Sequence, residues 1–472
     1  MSWDLIEEAK KLIAINSITY ESNREVVNYV SSLLKPLDLE VTLQKGELYG
    51  KEQFNIIAKK GPSSGEAFLL STHLDTVSPG DFSLWDKTGG NPFRATIEND
   101  KIYGLGTADV KLDILCKIKA LEKFKGVSFK NPLLLLATYG EESGLAGAKK
   151  LVEENILKPL PRYALVGEPS NLSIVYAHKG FLTLEFTVTD SSAQEVNINN
   201  GTLRVDFFGR SAHSSTPQLG INAAQKALDF LRAQKGKVEF ISLQSGELVN
   251  VIPDRASLRI KTQDKLILDE EGVQWVLEKN KKPTFLFTPS FLNAVEEIQS
   301  FFKKCALEFK KSPLPEFDPP ISVLSIGVIK TEGNSMKFLV GIRLLPTANT
   351  EELLTAARNY IEGMNKKYPS IQTSMQVVRQ SFPMQTDINS KLVVEAKAVL
   401  RSMSLQETVV TKASSTEASV YRALGAEAIV WGPGVSVSNV HKPNEFNYLH
   451  HLSHAVTFYE RMIESFCVKG VR

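Results

Sequence analysis

Cysteine is scarce. The 472 residues hold three, Cys116, Cys305 and Cys467, too scattered for a CxxC pair. That excludes a disulfide framework and a thiolate metal site, and a reduced, cytoplasmic compartment is the simplest expectation. No apolar run approaches the roughly 20 residues that span a bilayer. The opening MSWDLIEEAKKLIAI lacks the basic start and apolar middle of a secretion signal, so no membrane partner is expected. Charge of one sign is not in excess either: 55 Lys and Arg stand against 53 Asp and Glu, a net of +2. Such a balance gives no reason to expect nucleic acid as a partner. The basic stretches KNKK (279–282) and FKKS (309–312) read as solvated faces. Low-complexity linkers are missing as well.

What is present is the composition of an ordinary globular enzyme, 43% hydrophobic and 23% charged, in a chain long enough for two or three cores. AFLLST (67–72), LLLLAT (133–138) and YALVG (163–167) are dense apolar runs of the kind that form buried parallel strands. Between the first two, Leu112, Leu115, Ile118 and Leu121 have helical spacing within 109–124. The style returns after 385, with KLVVEAKAVLRSM as helix, AEAIVWG (426–432) as strand and a closing helix from about Leu449. This alternation predicts an α/β fold with helices on both faces of a sheet.

Residues 181–379 differ. Strand-like LRVDFF (203–208), a helix at 221–234, VEFISL and RASLRI are followed by PTFLFT (283–288), a helix at 294–311, ISVLSIGVI and MKFLVGIRLL. Two strand–helix–strand–strand cycles predict a doubled α+β domain of two units, about 181–265 and 283–379. It would be inserted into a discontinuous domain made of 1–180 and 380–472.

Acids and histidines recur where strands end. His73 and Asp75 follow the first strand, Glu141 and Glu142 the second, Glu168 the third, and His441 lies in the loop after the fourth; Asp109 opens a helix. Strand ends are where open α/β sheets place their sites, and converging imidazole and carboxylate groups suit a divalent metal. Singly, each residue reads as a polar loop position. As a set they point to a metal centre.

The stretches HLDTV (73–77), YGLGTADVK (103–111), Glu141–Glu142, GEP (167–169), AHKGFLTLEF (177–186), GRSAHSSTPQLGINAA (209–224) and GPG…HKPNE (432–445) carry a resemblance. The chain resembles the acetylornithine deacetylase, succinyl-diaminopimelate desuccinylase and carboxypeptidase G family of dinuclear zinc hydrolases, and its wording is most similar to the acetylornithine deacetylase branch. The resemblance implies a zinc-peptidase-like mixed sheet flanked by helices, with an inserted lid domain. It implies two zinc ions, cobalt or manganese being alternatives, bridged by Asp109. His73 and Glu168 would complete one ion's shell, and Glu142 and His441 the other's. Asp75 would accept the ring N–H of His73, Glu141 would act as general base, and a cis peptide would follow Asp109. The chain departs from the family pattern at Leu112, where Gly is usual, and at Gly140, where an acid is common.

In dimeric relatives a His and an Asn come from the partner's lid and an Arg from the chain's own. Here His213 and Asn250 fall in the first lid unit, where Gln263 stands at the place of the Arg; Arg343 falls in the second, and no histidine lies between His213 and His441. This division implies a monomer with a complete site in cis, a homodimer being the alternative. His213 would polarise the scissile carbonyl, and Arg343 with Asn250 would hold the carboxylate of a small-molecule substrate. The expected activity is removal of the acyl group from an N-acyl-amino acid. Metallo-dipeptidase or carboxypeptidase activity is the alternative, and a catalytically inactive metal-binding protein is a third reading. His178 reads as structural at the hinge. His450 and His454, four apart on a helix without an accompanying acidic motif, read as a solvated face.

Overall fold

In the computed structural model, which describes residues 3–197, 202–262, 272–278 and 283–470, the run AFLLST becomes the strand Ala67–His73, buried along its whole length. The strand pleat sends alternate residues to opposite faces. Phe68 and Leu70 join Leu133 and Leu135 in one core, packed against the helices Leu5–Ala14, Lys111–Glu122 and Leu449–Ile463. Leu69 joins Leu134 and Leu136 in another, under the helices Ala146–Glu153 and Ala418–Ala423. Both faces are covered, which is why the strands read as continuous apolar runs rather than alternating ones. Each fully buried Leu or Phe contributes about 1.5–3 kcal/mol.

Four parallel strands form the centre of this sheet, in the order Leu133–Thr138, Ala67–His73, Pro161–Val166 and Glu427–Val430. The hairpin Glu40–Leu48 and Lys51–Lys60 adds antiparallel strands at one side. Ile174–His178, Met384–Gln385 and Val409–Lys412 extend the other. The mixed sheet thus has the parallel centre expected from the sequence, with antiparallel pairings where the margins join it and one further parallel pair, Val409–Lys412 with Ile174–His178. Among the described residues, no helix is long and apolar enough to cross a membrane.

The chain divides into two compact units, Met1–His178 with Met384–Arg472, and Lys179–Pro383. The breaks read from the sequence, after 180 and 379, fall beside these. In the second unit eight of the described strands form one sheet in which every pair is antiparallel. Its two halves follow the same path. In one, Thr202–Phe208, Glu239–Ser245, Arg255–Lys261 and Val273–Glu278 lie in the spatial order fourth, first, third, second. In the other, Gly180–Asp190, Val323–Glu332, Ser335–Leu344 and Ile371–Ser381 repeat that order. The halves meet through their second strands, at Gln244 opposite Lys330 and Ser245 opposite Ile329.

The halves are nested, however, which corrects the tandem division into 181–265 and 283–379. Gly180–Asp190 pairs with Ser335–Leu344 and Ile371–Ser381, so it belongs to the second half. The run at 283–288 is not that half's first strand: it gives the short strand Thr284–Leu286, paired with Gln194–Val196. These two short strands form a stem where the chain enters and leaves the inserted half. Strand pairing is non-local, and apolar runs carry no label of their partners, so tandem and nested orders read alike in sequence.

Candidate metal centre and active site

The four central strands deliver their C-terminal ends to one edge of the sheet. His73 ends its strand and is buried. Beside it, Leu133–Thr138 runs into Tyr139 and then Gly140, whose φ of +65° is left-handed backbone. A Cβ there would lie 2.8 Å from Leu48 Cδ2, so the usual acid gives way to glycine in this chain. The turn presents Glu141 and Glu142. Pro161–Val166 leads into Gly167 and Glu168, and Glu427–Val430 into the loop that carries His441. Asp109 precedes the helix Lys111–Glu122, and the peptide after it, Asp109–Val110, is cis.

Asp109 sits between the two imidazoles. Its Oδ1 lies 3.2 Å from His73 Nε2 and its Oδ2 3.2 Å from His441 Nε2. On the first side, Glu168 Oε1 is 3.9 Å from the same His73 nitrogen. On the second, Glu142 Oε1 is 3.1 Å from His441 Nε2. Ligands about 2.1 Å from a tetrahedral ion stand about 3.4 Å apart, and these four separations bracket that value. His73, Asp109 and Glu142 form one group with metal-ligand spacing, and His73, Glu141 and Glu168 another. Nitrogen and carboxylate oxygen are the donors that borderline divalent ions take. The donor set suits bound divalent metal.

The electrostatics agree. Burial raises the Glu141 carboxyl well above its ordinary range, and the neighbouring Glu168, Glu142 and Asp109 add to the rise against the pull of His73. Burial also works to raise Asp109, but hydrogen bonds with His441 and His73 hold it far below the usual carboxylate range. Burial works to lower His441, and contact with Asp109 and Glu142 overrides it, up to about 11. A buried cluster of this many acids calls for positive charge beyond what two imidazoles supply.

Asp75 does a different job from the one expected of its side chain. The nearer acceptor for His73 Nδ1 is the backbone oxygen of Asp75, at 2.9 Å, with the carboxylate at 3.5 Å. That carboxylate instead accepts the backbone N–H groups of Glu141, at 3.1 Å, and Glu142, at 3.2 Å. One residue thereby orients a histidine and fixes the turn that bears both glutamates.

Three supporting residues escaped the sequence reading. Glu445, in the quoted HKPNE stretch, accepts N–H groups from Ala108 (2.7 Å), Asp109 (3.0 Å) and Gly106 (3.3 Å), and so holds the Asp109 loop. Lys412 donates to Glu168 Oε2 at 2.7 Å from a strand beside Ile174–His178, a pairing with no local sequence signal. Glu417 is buried, accepts from Ser71 Oγ at 3.0 Å, and is raised by burial to about 7. Lys111, part of the quoted motif, braces the fold by donating to the Ile15 carbonyl at 2.7 Å.

The second unit gathers its own predicted residues. Ser214 N–H donates to Asn250 O at 2.9 Å, and His213 is bridged to Val251. Arg343 Nη2 lies 3.4 Å from Ser214 Oγ. His213 Nδ1 meets Ser215 Oγ at 2.6 Å, which orients the ring. Arg343 and Ser214, 129 positions apart in the chain, are thus neighbours. Gln263 and KNKK (279–282) lie outside the described residues. His178 ends the strand Ile174–His178 and is buried. His450 does have an acidic companion, Asp100 Oδ2 at 2.5 Å, but neither it nor His454 belongs to a group with metal-ligand spacing among the described residues.

A two-unit chain with an α/β sheet carrying this donor set is the architecture of a metallohydrolase. The chain belongs to the peptidase family M20/M25/M40, whose family model matches residues 69–465. It is 36% identical over 225 residues to the acetylornithine deacetylase of Photorhabdus laumondii, a match covering 46% of this chain and 51% of that enzyme. The match thus spans about half the length of that relative. In fold it is similar to the aminoacylhistidine dipeptidase of Vibrio alginolyticus, with a TM-score of 0.65 and 15% identity, over 98% of this chain and 96% of that one. It is also similar to the YXEP protein of Bacillus subtilis, described as a dinuclear metal binding peptidase, with a TM-score of 0.51 and 12% identity, over 97% and 96% of the two chains.

Proposed function

We propose that this protein hydrolyses the amide bond of a small N-acyl-amino acid with the help of two zinc ions. The observation that carries the reading is Asp109, whose two oxygens each face a different histidine. His73 and Glu168 would hold one ion, His441 and Glu142 the other, with Asp109 shared. When bound, such ions polarise a carbonyl and bring the pKa of water to about 7.

Glu141 is the proton carrier. It lies with His73 and Glu168 in one cluster, its backbone is pinned by Asp75, and its surroundings hold its carboxyl well above the ordinary range. A base of raised pKa takes a proton from the attacking water and returns it to the leaving amine, a role typically worth about 10²–10⁴-fold in rate. Asp75 keeps the His73 ring in one orientation. In the lid unit, His213 would donate to the developing oxyanion, and Arg343 with Asn250 would bind the substrate carboxylate. With both lid halves in one chain, we read the protein as a monomer that needs no partner lid.

A dipeptidase reading is favoured by one observation, the pairing of two complete lid halves in one sheet, taken with the similarity to the Vibrio alginolyticus dipeptidase. Both readings share the same chemistry. The test is hydrolysis of N-acetylornithine, N-acetylmethionine and a set of dipeptides by zinc-loaded protein, beside Glu141→Gln. Cleavage of the acetylated amino acids by wild type, with at least a hundredfold loss in the variant at unchanged zinc content, supports the proposal. Cleavage of dipeptides alone moves the substrate to the second reading. No cleavage of any amide overturns both.

A further inference from the structure

The helix Lys111–Glu122 is buried on all sides through its first two turns, Lys111 to Ile118. Asp113 and Lys117, one turn apart within it, have fully buried side chains whose Oδ2 and Nζ lie 2.6 Å apart. Lys117 Nζ also donates to the Ser71 carbonyl and to Thr72 Oγ1, each at 2.6 Å. Thr72 Oγ1 in turn donates to Asp113 Oδ2 at 2.5 Å, and the Tyr459 hydroxyl donates to Asp113 Oδ1. These bonds account for all three ammonium protons and for both carboxylate oxygens.

The pair's contacts gather where two neighbouring parallel strands, Ala67–His73 and Pro161–Val166, come to an end. Thr72 directly precedes His73. The Ser71 carbonyl that accepts from Lys117 also accepts the Gly167 N–H at 2.7 Å, and Gly167 directly precedes Glu168. Gly167 has no room for a side chain: a Cβ there would lie 1.9 Å from Asp113 Oδ2 and 2.7 Å from Lys117 Nζ. A buried ion pair contributes little to stability, because desolvation offsets its attraction, and apolar residues of similar volume often serve as well. What a fully satisfied buried network does supply is a single geometry. Here that geometry relates the backbone before His73 to the backbone before Glu168, whose facing atoms, Nε2 and Oε1, are 3.9 Å apart.

We propose that Asp113 and Lys117 are positioning residues that hold these two strand ends in the register at which His73 and Glu168 face one metal ion. The pair acts through Thr72 and Gly167 rather than on the ligands themselves. The inference rests on the two-ion reading proposed above and deepens it. The other ion's ligand Glu142 lies on a turn held by the Asp75 carboxylate, so the two ions depend on different supports.

The experiment titrates metal-free protein with zinc against a chromophoric chelator. It compares the two binding steps in wild type, the double variant Asp113→Leu/Lys117→Met, Thr72→Val and Thr72→Ser. Glu168→Ala marks the step that belongs to the His73 ion. In the double variant and in Thr72→Val that step should weaken about tenfold or more, the other changing less than about twofold. Thr72→Ser, which keeps the hydroxyl, should stay near wild type. The visible spectrum of cobalt-loaded protein should shift in the same two variants, while the melting temperature of the metal-free double variant stays within about 5 °C of wild type. Unchanged affinity at the marked step in a folded variant, or equal weakening of both steps, would overturn the proposal. If the double variant fails to fold, Thr72→Val decides by the same criterion. Wild type that binds fewer than two zinc ions removes the two-ion reading and this inference with it. Two ions bound alike by wild type and variants removes this inference alone. The hydrolase reading is judged separately, by whether wild type cleaves any acylated amino acid.

Discussion

At the scale of single residues, the centre depends on side chains that hold the backbone of its loops. Glu445 satisfies three backbone donors in the loop leading to Asp109. Each buried donor left without a partner costs about 1–3 kcal/mol. Glu445→Ala should therefore lower the unfolding free energy in urea by at least about 3 kcal/mol and weaken zinc binding, while Glu445→Gln, which keeps one acceptor oxygen, should lose less. His451 makes a second case. It is buried, accepts the Gly434 N–H at Nδ1 (3.3 Å), and is lowered to about 4 by burial first and then by His450 and His454. Its folded pKa lies below the ordinary 6.5, so between those values the unfolded chain binds more protons. The stability of the neutral form is complete above about pH 6.5 and is lost as pH falls toward 4. The loss should be on the order of 2 kcal/mol. Urea titrations at pH 7.5 and pH 4.5 should show that difference shrink in His451→Gln relative to wild type.

At the scale of elements, the lid sheet depends on how closely its two halves approach. Gly246 follows the second strand of the inserted half at φ +68°, and a Cβ there would come 1.9 Å from the Gly327 carbonyl oxygen. Gly327 lies within the second strand of the other half, and a Cβ at that position would come 2.6 Å from Val249 Cα. The neighbours are backbone atoms and cannot swing aside. Gly246→Ala should thus open the junction between Glu239–Ser245 and Val323–Glu332, read as faster amide hydrogen exchange in those two strands and a stability loss of about 1–3 kcal/mol. Gly333→Ala, at a φ of +57° with nothing within 4 Å of the added carbon, should cost about 1 kcal/mol and leave that exchange unchanged.

At the scale of the whole molecule, the duplicated path of the lid gives the chain two halves where a dimeric relative would contribute one from each subunit. Equilibrium sedimentation should give the mass of a single chain, 52.3 kDa, across a hundredfold range of concentration, with activity per chain independent of dilution. A stable dimer whose activity falls on dilution would show that the site needs a second copy. Zinc removal bears on the same scale. An ion that binds only the folded chain stabilises it by about 2.7 kcal/mol at a hundred times its Kd, so chelation should lower the melting temperature of wild type more than that of His73→Ala.

Read alone, the sequence carried the outline of the fold and a set of candidate metal donors. His73, Glu142, Glu168 and His441 were legible as candidate donors because each follows an apolar run, and strand ends share one edge in a parallel sheet; Asp109 was legible because it opens a helix. The duplicated cycle in 181–379 was legible from its periodicity. The nesting of the lid halves, the grip of the Asp75 carboxylate on the glutamate turn rather than on His73, and the contacts of Lys412 and Glu445 with a candidate ligand and with the Asp109 loop came from tertiary contacts. They alone placed the Asp113–Lys117 pair beneath the strand ends that lead to His73 and Glu168. The reason is physical: local pattern records which face a residue turns to the core, whereas hydrogen bonds and charge pairs between distant segments are set by strand register, and one sequence window carries no trace of its partner.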